Sequence, residues 1–120
     1  MSVATYTNMI GVTMSNVSGK TGDDTMSFVG TNGKTYTFLH HGDCCEYVRI
    51  EDIIGDVSDL VGSPIVEAEE ISSENEPAPA NADSYTWTFY RFSTVKGTVT
   101  VRWLGESNGY YSESVDYEES

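Results

Sequence analysis

Glutamine is absent from this 120-residue chain, and leucine, lysine and arginine occur only three times each. With four methionines, these helix-favouring types total 13, against 31 valines, isoleucines and threonines. β-Branched side chains lose rotamer freedom in a helix and pack well on a pleated surface, so the imbalance argues against long helices. Eight tyrosines, four phenylalanines and two tryptophans complete a strand-forming alphabet.

Basic residues are equally scarce: 6 Lys and Arg face 19 Asp and Glu, for a net charge of −13 and a pI of about 4.2. The two cysteines, Cys44 and Cys45, are neighbours. A bridge between them would close a strained ring and remove almost no chain entropy, so both are expected as free thiols in a reducing compartment. No apolar run approaches the ~20 residues that span a bilayer. The start, Met1-Ser2-Val3-Ala4-Thr5, lacks the basic and apolar stretches of a signal peptide. The expectation is a cytoplasmic protein without a membrane partner. A chain of 13.2 kDa has room for one domain, residues 1–120, with one modest core, which excludes two-domain enzymes.

The negative charge is concentrated in the middle. Residues 1–42 carry two acids and two lysines, net zero; residues 43–83 carry twelve acids against Arg49 alone, net −11; residues 84–120 carry five acids and three bases, net −2. Such a segment repels nucleic-acid phosphate and anionic lipid, and favours a basic partner. The alternative is that the charge only keeps a small protein soluble.

Along the chain, Ile10 to Ser18 alternates as a strand, and residues 4–9 suggest a helical turn before it. Asn32-Gly33 predicts a tight hairpin between Thr25–Gly30 and Lys34–His41, since both central positions of such a turn need positive φ. A two-residue loop there sets Val29 opposite Tyr36 and Ser27 opposite Phe38. Tyr47 to Ile54 reads as a strand with Val48 and Ile50 on one side. Asp56 then caps a helical turn over Val57 to Val61, and Ile65 to Ile71 follows as another strand. Residues 72–83, rich in Ser, Glu, Asn, Pro and Ala, read as a flexible acidic loop.

Tyr85–Val95 and Thr98–Glu106 form the clearest pair, joined at Lys96-Gly97. A two-residue turn there sets Tyr90 opposite Trp103, Phe92 opposite Val101 and Arg91 opposite Arg102. Facing like charges are destabilising, so a carboxylate from the acidic segment is expected between the arginines. A last strand over Tyr110–Tyr117 and an acidic tail, 117–120, end the chain. The expected fold is a β-rich α+β domain: a single antiparallel sheet or small barrel-like sandwich of six to seven strands with one or two short helical turns.

Three stretches carry a resemblance. They are Asp43-Cys44-Cys45-Glu46 with Ile50-Glu51-Asp52-Ile53-Ile54-Gly55-Asp56; Gly62-Ser63-Pro64-Ile65 with Ala68-Glu69-Glu70; and Trp87-Thr88-Phe89-Tyr90 with Arg102-Trp103-Leu104-Gly105 and Ser107-Asn108-Gly109-Tyr110-Tyr111-Ser112-Glu113. Over roughly residues 8–117 the chain resembles an uncharacterised domain family of small acidic proteins from tailed phages, prophages and some bacteria. The resemblance implies a phage or prophage origin, in the company of accessory factors that bind and inhibit host machinery. It assigns no catalytic role to any residue.

Three constellations are candidates for chemistry. His40, His41, Asp43, Cys44, Cys45 and Glu46 offer imidazole, thiolate and carboxylate donors to a transition metal or small ligand. Adjacent cysteines, however, point to opposite faces of a strand, and Asp43 and Glu46 would raise rather than lower a thiol pKa. Glu51, Asp52, Asp56, Asp59, Glu67, Glu69, Glu70, Glu74 and Glu76 form a candidate acidic interaction surface, without the alternating ligands of an EF-hand. Asn108, Tyr110 and Tyr111 could present aromatics on a contact turn. No phosphate loop, dinucleotide fingerprint or serine elbow is present, and no cofactor is expected. The reading is a non-enzymatic protein of the host-cell cytoplasm that binds a basic host protein, such as a nucleic-acid-binding enzyme, as an anti-defence, anti-CRISPR-like inhibitor. The alternative is a small-molecule or metal-binding domain with hydrolytic activity.

Overall fold

Strands separated by short turns account for most of the computed structural model, which describes residues 6–40, 46–71, 84–107 and 113–120. They are β1 (Met14–Ser18), β2 (Thr25–Gly30), β3 (Thr35–Leu39), β4 (Tyr47–Ile54), β5 (Glu67–Ile71), β6 (Ser84–Thr94), β7 (Gly97–Ser107) and β8 (Asp116–Glu119). All pairings are antiparallel, in two four-stranded sheets ordered β1-β2-β3-β8 and β4-β7-β6-β5.

The fold is therefore all-β with eight strands in two sheets, which corrects the expected α+β class and the expected single sheet or small barrel-like sandwich of six to seven strands. Among the described residues, helical backbone is limited to two four-residue 3-10 turns, Tyr6–Met9 and Val57–Leu60. The physical reason is coverage: an apolar sheet face must be buried against another layer, and with no helix to supply it, a second sheet does. Across the layers Phe28 of β2 meets Phe92 of β6 with centroids 4.9 Å apart, and Phe38 of β3 meets Tyr90 at 4.9 Å. Met14, Met26, Tyr36, Ile50, Val99, Val101 and Trp103 fill the rest of this core.

Both expected hairpins form, each in a different register. Phe28 pairs with Tyr36 and Met26 with Phe38, because the turn holds three residues, Thr31-Asn32-Gly33, closed by Gly30 N donating to Lys34 O at 2.8 Å. Gly33 occupies the left-handed position, φ 86°, that such a three-residue loop needs. On β6–β7 the turn is Val95-Lys96 and Thr94 pairs with Gly97, so Tyr90 faces Val101 and Phe92 faces Val99. The shift of two residues keeps every side chain on its expected face but separates the arginines: Arg91 lies opposite Thr100, and Arg102 opposite Phe89.

Several contacts tie the sheets at their edges. Gly11 N donates to Ile65 O at 2.7 Å and Gly62 N to Met14 O at 2.9 Å, joining the chain around the start of β1 to the lead-in of β5. The β1–β2 turn docks on β4, with Gly22 N on Ile50 O and Ile50 N on Asp23 O, both 2.8 Å. Strand β5 begins later than expected: Ile65 is buried ahead of it, and within it Ala68 takes the inner position. The expected acidic tail is not a free end: Tyr117–Glu119 lie in β8 against β3, and Ser120 exchanges two 2.9 Å backbone bonds with Thr35. Among the described residues no helix is long and apolar enough to cross a membrane.

Candidate functional site

Alternation along β6 and β7 sends Tyr90, Phe92, Val99, Val101 and Trp103 into the core and leaves Trp87, Phe89, Arg91, Arg102 and Leu104 on the opposite face. β4 adds Tyr47 and Arg49 to that outer face, and β5 adds Glu67 and Glu69. All three arginines of the chain thus share one sheet face. A register shift between Ile50 and Asp52 marks a bulge in β4, through which both Glu51 and Asp52 reach arginines.

Each guanidinium is held by carboxylates. Arg49 contacts Glu106 at 3.1 Å and Glu51 at 3.3 Å, Arg91 contacts Glu67 at 3.2 Å and also Glu69, and Arg102 contacts Asp52 at 3.3 Å. Two of them also lie over rings. Arg49 sits 4.6 Å above Tyr47, and Arg102 sits 5.1 and 4.9 Å from the rings of Trp87 and Phe89. A planar guanidinium can present its face to a ring and its N–H edge to a carboxylate at once, which an ammonium cannot. Among the described residues, five carboxylates pair with these three guanidiniums, so the acids outnumber the bases in these contacts by two. Large apolar groups stay open around the arginines: Tyr47 is 54% exposed, Ile54 55% and Tyr85 40%.

The structure therefore redistributes the acidic residues singled out from the sequence. Glu51, Asp52, Glu67 and Glu69 are ion-paired on the outer face. Asp56 caps the second 3-10 turn, accepting from the Ser58 hydroxyl at 2.7 Å and its N–H at 3.0 Å, which holds its carboxyl below the usual range. Asp59 lies in that turn, its carbonyl accepting from the Thr94 hydroxyl. Glu70 bonds the Tyr90 phenol, and burial together with the Glu70 charge and that bond pushes the phenol far above its ordinary value. Glu74 and Glu76 lie outside the described residues, as do the contact turn Asn108, Tyr110 and Tyr111 and the segment His41, Asp43, Cys44 and Cys45.

The two ends of the histidine–cysteine stretch are brought together. His40 Nε2 lies 3.3 Å from Glu46 Oε2, and the side chains are only 7% and 2% exposed. The other ring nitrogen, Nδ1, is 2.7 Å from the carbonyl of Ser114, just ahead of β8. A second buried carboxylate, missed in the sequence, is Glu113, which directly precedes Ser114 and accepts from Thr86 and Ser107. Burial alone would raise its pKa, but the hydroxyls of Ser107, Thr86 and Ser84 outweigh this and hold it below the usual range. Gly105 permits the approach, since a Cβ there would collide with the Glu113 carbonyl.

Sequence reasoning also missed the arginine–aromatic face. Its signal was present: between Tyr85 and Phe92 rings occur at both odd and even positions. A strand with one wet face has no need of that pattern.

The model of a family described as a domain of unknown function (DUF7448) matches residues 7–117, so the chain belongs to that family. No curated protein and no solved structure matches the chain.

Proposed function

We propose that this member of the DUF7448 family is a non-enzymatic binding protein whose contact surface is the outer face of the β4-β7-β6-β5 sheet. The observation that supports the reading is the gathering of all three arginines on that face, two of them over aromatic rings, with tyrosines left exposed beside them. Arginine and aromatic residues are the types that dominate binding energy at protein interfaces, and a rim of carboxylates excludes anionic partners. The occupant is a protein with an apolar centre and a basic perimeter, drawn in by the net charge of −13.

The finer reading rests on the resemblance to phage and prophage proteins. This chain is a phage or prophage accessory protein in the host cytoplasm, occupying the basic nucleic-acid channel of a host enzyme as an anti-defence, anti-CRISPR-like inhibitor. The test is a tagged pull-down from host lysate at low and moderate salt, with wild type beside a Tyr47→Ala/Tyr85→Ala variant and a Glu67→Gln/Glu69→Gln variant. A basic protein recovered by wild type, lost with the tyrosine variant and weakened by salt and by the glutamines is the expected result. Equal recovery of the same proteins by all three baits would overturn the assignment of the face.

A further inference from the structure

Two four-stranded sheets have four edges, and three of them are guarded. On β4 the β1–β2 turn occupies both backbone groups of Ile50, and the Asp52 carboxylate accepts from the N–H of Ile53 at 2.9 Å. β5 carries Glu67, Glu69 and Glu70, and β8 carries Asp116, Glu118 and Glu119. Charges and side-chain caps of this kind keep an unpaired edge from recruiting another strand. β1, Met14-Ser15-Asn16-Val17-Ser18, has neither charge nor proline, and its Ser15, Asn16 and Ser18 are exposed. The register shows what this edge presents. Gly30 N donates to Lys34 O, so Gly30 and Phe28 turn their backbone groups to β3, while Val29 and Ser27 turn theirs to β1. Asn16 and Ser18, opposite Val29 and Ser27, are therefore bonded within the sheet, and Val17, opposite Phe28, directs its N–H and C=O outward. Among the described residues no backbone group pairs with them.

Charge selects the occupant. A basic segment would favour the acidic edges of β5 and β8, whereas an uncharged edge suits an uncharged strand. Residues 1–42, which hold β1, are net zero in a chain of net charge −13, so two copies meet here with the least repulsion. The strand is also complementary to itself. About a two-fold axis at Val17, antiparallel pairing sets Val17 against the partner's Val17, exchanging both outward bonds, and Asn16 against the partner's Ser18, two polar side chains on the solvated face. The Val17 side chain is half-buried against the core, so the apolar layer continues across the join. We propose that β1 is a self-association edge, through which two copies of this chain pair into a dimer whose β1-β2-β3-β8 sheets form one continuous antiparallel sheet. The pairing leaves the outer face of the other sheet uncovered and does not rest on the function proposed for it.

The experiment is sedimentation equilibrium of the full chain over a range of protein concentrations, at low and at moderate salt. The expected result is a monomer–dimer equilibrium that salt strengthens, because it screens the repulsion between two negative chains. Val17→Pro removes the outward N–H at an edge position, where proline is tolerated, and should leave only monomer. Asn16→Glu/Ser18→Glu keeps every backbone group but sets like charges opposite each other, and should weaken the dimer by ~10-fold or more. The Tyr47→Ala/Tyr85→Ala variant, altered on the other sheet, should dimerise as wild type does. Amide hydrogen exchange of the wild type gives an arm that does not depend on the variants folding: protection at Val17 should rise with protein concentration, while Asn16 and Ser18 are protected throughout. A wild type that is monomeric at every concentration, a dimer that both β1 variants leave intact, one that salt dissolves, one lost with the tyrosines, or Val17 exchange indifferent to concentration would each overturn the assignment.

Discussion

The two sheets present the same chemistry inward and opposite chemistry outward. Facing the core, both offer large apolar groups: Phe28, Tyr36 and Phe38 from one, Phe92, Val101 and Trp103 from the other. Facing outward, the β1-β2-β3-β8 sheet shows Ser27 opposite Thr37, Thr25 opposite Leu39 and Thr35 opposite Val29, hydroxyl residues and half-buried aliphatics with neither arginine nor aromatic ring among them. The β4-β7-β6-β5 sheet shows Trp87, Phe89 and three arginines. The first pattern is what a solvated sheet face needs, because threonine favours the strand and its hydroxyl stays wet. The second, which includes Phe89 and Leu104 at 9% and 2% exposure on the side away from the core, is a pattern that solvation of the face does not call for. The difference between two otherwise equivalent surfaces is the reason to read the second as a contact surface.

Substitutions can separate what the inner faces share from what the outer faces do not. The largest expected effect is on the shared core. Phe38 touches Phe28, Tyr90, Phe92 and Tyr117, so Phe38→Ala should cost about 3–5 kcal/mol in urea unfolding, whatever its effect on binding. Next comes the buried end of the sandwich. Gly105→Ala should lose about 1–3 kcal/mol, because its methyl meets Glu113 backbone that cannot move cheaply.

Glu113 also gives the protein a pH dependence with a definite sign. Its folded pKa lies below the ordinary value, so the folded state binds fewer protons there than the unfolded chain. The stabilisation is complete above the usual carboxylate range and is lost as pH falls through the lowered folded value. Unfolding curves measured from neutral to acid pH should show this loss in wild type, and Glu113→Gln should flatten that part of the profile.

The outer faces divide more finely. Trp87→Ala should weaken partner binding by about 2 kcal/mol, roughly thirtyfold, while Thr37→Ala on the other sheet should leave binding unchanged and stability within about 0.5 kcal/mol. Equal effects on binding would erase the distinction between the two surfaces. Smallest of all, Arg91→Ala should change stability by no more than about 1 kcal/mol, since it and Glu67 are 40% and 38% exposed and solvent screens the pair. A larger loss of binding than of stability at Arg91 would sharpen the assignment of the face.

Much of the fold was legible because strand signals are local. The runs at β2, β3, β4, β6 and β7 could be read from β-branched and aromatic alternation, and the inward residues Tyr90, Phe92, Val101 and Trp103 from period two alone. The turn lengths were not, since Asn32-Gly33 and Lys96-Gly97 are compatible with more than one loop, and the closing hydrogen bonds choose between them. Of the sites, His40 and Glu46 were singled out by residue type, but their approach depends on how β3, β4 and the lead-in to β8 are packed. The acidic residues were read as one surface because charge is counted along the chain, whereas pairing with arginine occurs across it.

Composition and alternation by themselves determined that this chain is built of strands, which side of β6 and β7 is apolar, and that its net charge is strongly negative. These follow from backbone sterics and a two-residue period that need no distant partner. Only the tertiary structure decided that β4 joins β7 and β8 joins β3, that two sheets rather than one enclose the core, and that Arg49, Arg91 and Arg102 share a face. Those outcomes depend on contacts between residues far apart in sequence, chosen by which arrangement buries both apolar faces together, and no local pattern encodes that choice.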